Sequence, residues 1–594
     1  MVTPLAIQYP SNFSTSNSHP PSLQCSYRKR MESIMQTILE HVKKAYTDEE
    51  MAVIEKTRIA YGLYDFISAI ICERNGFNEK EIDEYISGTN RPKNFVGIKD
   101  IDKAVALIAT AMSKNEMIRI VGDYDVDGVT STYVLLTVFE ALGYKQISHY
   151  LPLREKDGYG LNKDIVENAH RDGVKLLITV DNGISAHEAT SHAKVLGMTM
   201  IVTDHHELPL TLPEADAIIN PHQLDCDYPY KTLAGVGIAY KLGQALMSHF
   251  KARPTPELIG RIQALVALGT VCDVAPLIGE NRHMVKTGLI ALNKNAIPAA
   301  SVISPKISVG TLGFQIGPRL NACGRLEDAE TALKFLQCQD YNELYPFKAR
   351  LDSLNKERQD EEMDSLHRIF TKLEKYPEIP DIIIEVDEQA HESVVGLVAG
   401  KVKEKYYRPT VVFAKTIHGT YKGSGRSIEE YDMFQSFKPY LDLLDGGGGH
   451  PMACGLKASN LEQIEAFKKA VNTASKLTDH NKTPKVYVDK CIYNAYEYDF
   501  DSLEKQLKLF LPTGAGNAAP TLLVKDACLS IKTKYAKTWR ISEVVAEFGV
   551  KSISSTLWND ETIPEEGEFV ADIALQVGET GWQIRAIYFS PVHP

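Results

Sequence analysis

Between about Phe95 and Tyr230, short apolar runs alternate with amphipathic segments, and this alternation constrains the fold more than any other feature of the chain. EMIRIV is followed by VTSTYVLLTVFEALG, ISHYLPL by NKDIVENAH, KLLITV by SAHEATSHAKVLG, and MTMIVT by a return through AIIN. Strand-length apolar runs separated by helix-period segments predict a parallel sheet with crossover helices. In such sheets, functional side chains gather just beyond the carboxyl ends of the strands. Three of these strands end in residues of metal-ligand type. Asp123, Asp125 and Asp127 follow the first, Asp181-Asn182-Gly183 follows KLLITV, and Asp204-His205-His206 follows MTMIVT.

Alternate side chains point to opposite faces of a continuing strand, so convergence of the three acids in GDYDVDG requires a turn, which Gly128 is expected to supply. Converging carboxylates repel one another and call for a cation. Alone, the stretch also reads as a solvated acidic turn. A calcium loop of the D-x-D-x-D-G type is disfavoured, because its twelfth position needs a bidentate glutamate and here holds Val134. Asp181 alone serves equally well as a turn or cap residue. Three equivalent strand ends together point to a cation site. A helical segment from Thr255 then runs through RIQALVALGTVCDVAPL and places Asp273 in apolar surroundings. A carboxylate is costly there unless it is paired or metal-bound, so Asp273 is a natural further ligand.

With 594 residues, 44% of them hydrophobic, the chain is expected to form roughly three to five domains with proper cores. No run approaches the ~20 apolar residues of a membrane span, and the first residues lack the layout of a secretory leader. The expected location is the cytoplasm, with no membrane partner. Nine cysteines without a CxxC pair indicate neither a disulfide framework nor a cysteine zinc site. The net charge of −12 argues against a basic-tail polyanion binder but leaves room for a local basic channel.

Along the chain, residues 1–30 read as a disordered Ser/Asn/Pro-rich tail and 31–94 as a helical lead-in that serves packing. Residues 95–326 form the sheet-bearing unit, and 327–380 form long linking helices, read as a mechanical connector. A second α/β unit spans 381–482 with two glycine-rich loops, GSGRS (Ser424, Arg426) and GGGGH (Gly448, Gly449, His450). Neither carries the GK[ST] of a Walker loop, but each permits close approach of an anionic backbone. Residues 483–594 alternate as a small all-β barrel, in which Tyr535, Lys537, Trp539 and Arg540 are candidates for stacking on and neutralising a single strand. The barrel is acidic, so holding a partner protein is a comparable role.

GDYDVDG, VDNG, TDHH and ALGTVCDVAPL, in that order, resemble the four motifs of the DHH phosphoesterase superfamily. Around them YLPLREKDGYGL, GPRLNACGRLEDA, VVGLVAGKVKEKYYRPTVV, GSGRS and GGGGHPMACG resemble the RecJ-like single-stranded-DNA-specific exonucleases within it. The resemblance covers about Ile118 to Leu456, and the remainder more weakly. It implies an α/β fold: a parallel-sheet DHH catalytic domain, a DHH-associated substrate-binding domain joined by long helices, and a C-terminal all-β OB-like barrel.

Carboxylate and imidazole ligands without thiolate suit two Mn²⁺ or Mg²⁺ ions. Asp123, Asp125, Asp127, Asp181, His205 and Asp273 are the expected ligands, with Asp181 bridging. Asp204 is expected to orient His205, and His206 to face the phosphate. The family pattern gives Arg154, Ser424 and Arg426 to a 5′-terminal phosphate, and Arg319, Asn321 and Arg325 to the following ones. The implied activity is hydrolysis of single-stranded DNA from its 5′ end to 5′ mononucleotides in DNA repair and recombination, with a single-strand-binding protein or a helicase as protein partner. A phosphodiesterase for short oligonucleotides or cyclic dinucleotides, and a non-catalytic replication scaffold, are the alternative readings.

Overall fold

The computed structural model describes residues 45–88, 94–154, 156–158, 160–478, 487–536, 539–558, 563–564 and 566–589. The expected tail over 1–30 and Lys537 lie outside them. Helices α1 (Asp48–Tyr61), α2 (Asp65–Arg74) and α3 (Glu79–Ser87) come first. A reciprocal capping box between Thr47 and Glu50 starts α1, and Gly62 in the left-handed region ends it. After α4 (Ile101–Ser113) the predicted alternation appears as β1 (Met117–Val121), α5 (Val126–Ala141), β2 (Ile147–Tyr150), α6 (Lys163–Arg171), β3 (Val174–Val180), α7 (His187–Val195), β4 (Thr199–Thr203) and β5 (Ala217–Ile219). The five strands are parallel in the order β2-β1-β3-β4-β5. The three motif-bearing strands are therefore neighbours in space, and their motifs emerge at one edge.

Both faces of this sheet are covered. Helices α6 and α7 pack on one face through Ile165, Val166, Ala169, Ala189 and Ala193. On the other, α4 and α5 pack with α8 (Gly235–His249) and α9 (Pro256–Cys272) around Val134, Phe139, Leu242 and Leu265. Helix α9 is apolar nearly all round, as a helix buried within a lobe must be, and it brings Asp273 to its C-terminal cap. Helix α10 (Gly279–Asn293) packs along it.

Helices α11 (Gly317–Leu326), α12 (Ala329–Gln337) and α13 (Tyr341–Leu373) lead to the second lobe. Its sheet orders β6 (Ile383–Val386), β7 (Thr410–Lys415), β8 (Tyr421–Arg426), β10 (Ala453–Ala458) and β9 (Gly446–His450), with only the β6–β7 pair parallel. The two glycine-rich segments expected as loops are thus strands: GSGR lies in β8 and GGGGH is the edge strand β9. Alternate side chains face two cores, Val411, Phe413, Cys454 and Leu456 one of them and Val412 and Ala414 the other, and Gly423 and Gly425 leave room for Phe413 and Cys454 on the first. Helix α14 (Val395–Tyr406) covers the second face, packing on Ile383, Val412 and Ala414.

The C-terminal unit curls a long β12 (Leu522–Ala536) between antiparallel β13 (Trp539–Phe548) and β15 (Glu566–Gly578), flanked by β14 (Lys551–Trp558) and β16 (Gly581–Phe589). A short β11 (Lys490–Ile492) pairs parallel to β12. The curl brings β14 and β16 into contact, giving the OB-like half-barrel. Its apolar interior is not its own alone. Ile67, Ile71, Ile82 and Tyr85 of the lead-in helices share one core with Leu503, Phe510, Leu522, Val544 and Ile573. Arg282 of α10 lies over the Tyr85 ring at 4.0 Å and donates to the Leu509 and Leu511 carbonyls. Leu277 donates its backbone N–H to Ala515 (2.7 Å), so LPTGAGNAAP docks four residues from Asp273.

Candidate metal centre

At the end of β1 the chain turns through Gly122 to Asp125, and Asp125 is the N-cap of α5. Its Oδ1 accepts from the N–H groups of Asp127 (2.9 Å) and Gly128 (3.1 Å), leaving Oδ2 for a cation. Gly128 therefore does not make the turn; it lies in the first turn of α5. Its role is space, since a Cβ there would sit 2.4 Å from the Asp123 backbone nitrogen. Asp181, directly after β3, lies in the left-handed region (φ 62°), as does Val274 (φ 62°), directly after Asp273. Left-handed backbone is costly for a β-branched residue, and strain of this kind concentrates at functional sites.

The seven predicted residues converge. Ligating atoms of Asp123, Asp125 and Asp181 lie within 4.8 Å of one another, as do those of Asp127, His205 and Asp273, and those of Asp181, His205 and His206. Asp181 joins two of these groups; its Oδ1 is 3.1 Å from His205 Nε2, which lies 3.9 Å from both Asp127 and Asp273. Buried like charges about 4 Å apart repel by about 4 kcal/mol at an effective dielectric of 20. Accordingly, burial first and neighbouring carboxylates second push Asp123 and Asp181 well above the usual range, Asp127 to about 7 and Asp273 to about 9. The Oδ1 atoms of Asp123 and Asp181 and Nε2 of His205 are buried with no protein hydrogen bond. Orphaned oxygen and nitrogen atoms aimed at one point fit divalent cations, and they assort into two overlapping sets. Cys272 contributes no thiolate: burial pushes its thiol up, and Sγ faces the Leu312 carbonyl.

The histidines differ from expectation in one respect. Asp204 Oδ1 accepts from His206 Nδ1 (2.7 Å) and from the backbone N–H groups of His205 and His206, while Oδ2 accepts from Ile184 N–H. Asp204 thus orients the ring of His206, not that of His205. Burial works against charge on His206, but the Asp204 bond and charge outweigh it and lift its pKa to about 9. Burial and the neighbouring His206 charge lower His205 to about 4, leaving the neutral imidazole that a metal requires. Asp204→Asn is expected to cut turnover about 10- to 100-fold, the usual range for a residue that orients a site group. Steady-state kinetics with unchanged metal content would check this.

Two supports were invisible in the sequence. The backbone N–H groups of Gly235 and Val236, at the start of α8, donate to Asp127 Oδ2 (2.7 Å) and Oδ1 (2.9 Å). A Cβ on Gly235 would meet the Asp181 carboxylate at 2.7 Å. The only available signal was the glycine pair in LAGVG. Asn182 closes the floor, donating to the Val121 and Val180 carbonyls and accepting from Leu161 N–H.

The predicted substrate residues are less uniform. Arg154 lies over the Tyr124 ring at 5.3 Å, and Arg325 donates to the Ser393 carbonyl across the lobes (2.6 Å). Arg426 donates to Ser424 Oγ (3.2 Å), and Gly396 of α14 lies against both. Gly448 has open space where a side chain would project, and Gly449 and His450 lie beside it in β9. Two of the expected phosphate contacts also have protein partners. Arg319 pairs with Asp352 (2.6 Å), and Asn321 Oδ1 accepts from Val126 N–H (3.0 Å), tying α11 to the acidic motif. Both are half-buried, Arg319 on the side of α11 that meets α13 and Asn321 on the side that meets α5.

In metal-stripped protein the carboxylate cluster should give stability a definite pH slope. Asp127, Asp273 and His206 all have folded-state pKa values above their ordinary ones. Between about pH 6.5 and 9 the folded state therefore holds more protons than the unfolded chain, and stability falls as pH rises. Thermal melts in chelator should show a lower midpoint at pH 8.5 than at 6.5, with the trend removed by saturating Mn²⁺. A flat or rising midpoint in chelator would contradict it.

A parallel sheet with this cluster at its carboxyl edge, followed by a second α/β lobe, defines a class. Family models match accordingly: the DHH family, N-terminal domain, over residues 117–270, and the DHHA1 domain over 380–476. Single-stranded-DNA-specific exonuclease RecJ of Salmonella typhimurium is 38% identical over 395 residues, covering 63% of this chain and 68% of that protein. RecJ of Bacillus subtilis is 36% identical over 444 residues, covering 73% of this chain and 55% of the longer relative. The crystal structure of Thermus thermophilus RecJ in complex with Mn²⁺ superimposes with TM-score 0.74 at 26% identity, over 91% of this chain and 78% of that one. Its Mg²⁺ complex gives 0.68 at 25% identity, over 91% and 77%. The chain belongs to the RecJ family. Among the described residues no helix is long and apolar enough to cross a membrane.

Proposed function

We propose that the protein is a metal-dependent exonuclease that hydrolyses single-stranded DNA from a 5′ end and releases 5′ mononucleotides. The observation that carries this is the double ligand set that shares Asp181, with Arg154 over the ring of Tyr124 between two of its acids and Arg325 bonded across to Ser393 of the second lobe. In this reading Asp123, Asp125 and Asp181 would hold one Mn²⁺ or Mg²⁺ ion and Asp127, His205 and Asp273 the other, with Asp181, whose Oδ1 is 3.1 Å from His205 Nε2, serving both. When bound, such ions make water nucleophilic at neutral pH and neutralise phosphoryl charge. The protein's own groups do the rest. Asp204 fixes His206 so that Nε2 is the ring nitrogen that can address the phosphate, carrying a proton at neutral pH. Gly235 and Val236 fix Asp127. Arg154, Ser424 and Arg426 select the terminal phosphate, so that cleavage falls at the first internucleotide linkage, with the 3′ oxygen leaving. Contacts of this kind are salt-dependent and indifferent to sequence. A single-strand-binding protein or a helicase as partner belongs to the same reading.

The test is digestion of a long single strand bearing a 5′ phosphate and labelled at either end, with Mn²⁺. Immediate release of 5′-labelled mononucleotide is the expected result. Failure on the long strand with turnover of dinucleotides would move the protein to the small-substrate phosphodiesterases. No Mn²⁺ uptake and no hydrolysis would make it a scaffold.

A further inference from the structure

In the sequence of α8, GVGIAYKLGQALMSH, one lysine stands among apolar residues, and the structure buries it completely. Lys241 has no exposed side-chain surface, although lysines are almost never fully buried unless paired. Its Nζ donates to Glu280 Oε2 (2.7 Å) in the first turn of α10. The hydroxyl of Tyr228, also fully buried, donates to the same carboxylate, 2.8 and 2.9 Å from its two oxygens. Stability does not account for such a pair. Desolvating two charges offsets most of their attraction, and apolar residues of similar volume serve a core equally well or better. What an apolar pair could not supply is direction, since here one carboxylate holds an ammonium and a hydroxyl at fixed distances.

The segments so held lead to the metal ligands. Tyr228 precedes and Lys241 follows the Gly235 and Val236 amides that fix Asp127. Glu280 follows Asp273 along a chain that passes through Val274 and Gly279, both in the left-handed region (φ 62° and 46°). Beside the ion pair, the Tyr230 hydroxyl donates to the Ile278 carbonyl (2.7 Å), and Asn281 Nδ2 donates to the carbonyls of Thr232 (2.6 Å) and Pro276 (3.1 Å). The chain that supports Asp127 is thus laced to the chain that carries Asp273, and these two acids share one ligand set with His205. The turn bearing Asp123 and Asp125 is held from α11 instead, through Val126 N–H to Asn321. We propose that Lys241 and Glu280 are positioning residues for one ion site of the two, that of Asp127, His205 and Asp273. Loosening the pair lets α8 and the chain after Asp273 move apart, so this set opens while the Asp123–Asp125–Asp181 set keeps its shape. The inference rests on the two-ion reading, but not on its substrate.

Mn²⁺ would be titrated calorimetrically into metal-stripped wild type and into Lys241→Met/Glu280→Gln, with thermal melts in chelator alongside. The double variant removes both charges and keeps their volumes, so its melting midpoint should stay near that of the wild type. One of the two Mn²⁺-binding steps should weaken on the order of 10- to 100-fold, the usual cost of disturbing a ligand's support, with little change in the other. Added to Asp273→Asn, the same two substitutions should weaken the remaining step no further, because residues acting through one site do not add. Leu246→Ala, which opens a cavity in the last part of α8, should lower the midpoint and keep both steps. Fewer than two steps in the wild type, two unchanged or equally weakened steps in the double variant, a further loss in the Asp273→Asn protein, or the same selective loss in Leu246→Ala would overturn the proposal. Two tight steps in the wild type and one weakened in the double variant, with no hydrolysis of DNA, would uphold it and sink the exonuclease.

Discussion

Replacing Asp181 by alanine is expected to abolish hydrolysis, with a fall on the order of 10³-fold or more, while leaving the fold intact. Among the described residues no other side chain belongs both to the set with Asp123 and Asp125 and to a set with His205, so its loss weakens two ion sites at once. Several kcal/mol of charge stabilisation is at stake in such a centre, and each 1.36 kcal/mol is about tenfold in rate. Removing a buried, repelled carboxylate should raise the melting midpoint of metal-free protein. Three measurements on Asp181→Ala would check this: Mn²⁺ stoichiometry, turnover, and thermal melts with and without metal. Near-normal turnover, or a lower midpoint in chelator, would remove Asp181 from the centre.

The second large effect is expected at a residue with no functional group. Gly235→Ala puts a methyl 2.7 Å from the Asp181 carboxylate, on the peptide that holds Asp127. The neighbour is not the far end of a flexible chain but a short side chain at the end of a strand, so either Asp181 or the start of α8 must shift. Overpacking of this kind costs about 1–3 kcal/mol in stability. Displacing a metal ligand's support costs about 10- to 100-fold in affinity or activity. The two readouts should move together, with Mn²⁺ titration showing the weaker site. Gly243→Ala, on the same helix but away from the metals against Val138, should lower stability alone. If it impaired Mn²⁺ binding as strongly, the specific role of Gly235 would fail.

These two residues mark what a sequence can disclose. Asp181 was legible because a carboxylate at a strand end, matched by acids and histidines at two neighbouring strand ends, has few other uses. Gly235 was not, since a glycine shows nothing of what approaches it. The partner of Asp204 was misassigned for a related reason: both histidines adjoin it in sequence, and only backbone geometry decides which ring turns back. GGGGH lacks the side-chain alternation by which strands are recognised, so an edge strand passed for a loop. The protein partners of Arg319 and Asn321, which are Asp352 and Val126, could not be read either, because they depend on how α11 lies against α13 and α5.

The core shared by the lead-in helices and the half-barrel has a consequence for biosynthesis. The metal-bearing lobe closes within one stretch of chain, from Ile98 to Leu354, and can assemble as soon as that stretch leaves the ribosome. Helices α1–α3 cannot. Their apolar partners begin near Ile492 and run to Ile587, so at ~5–20 residues per second the nascent helices wait roughly 20 to 90 s for something to cover them. Through that interval Ile67, Ile71 and Ile82 stay open to chaperones or to neighbouring nascent chains. A message truncated before the half-barrel would therefore yield a lobe with its metal ligands in place and a permanently bare apolar face, marked for aggregation or degradation by what its other end lacks.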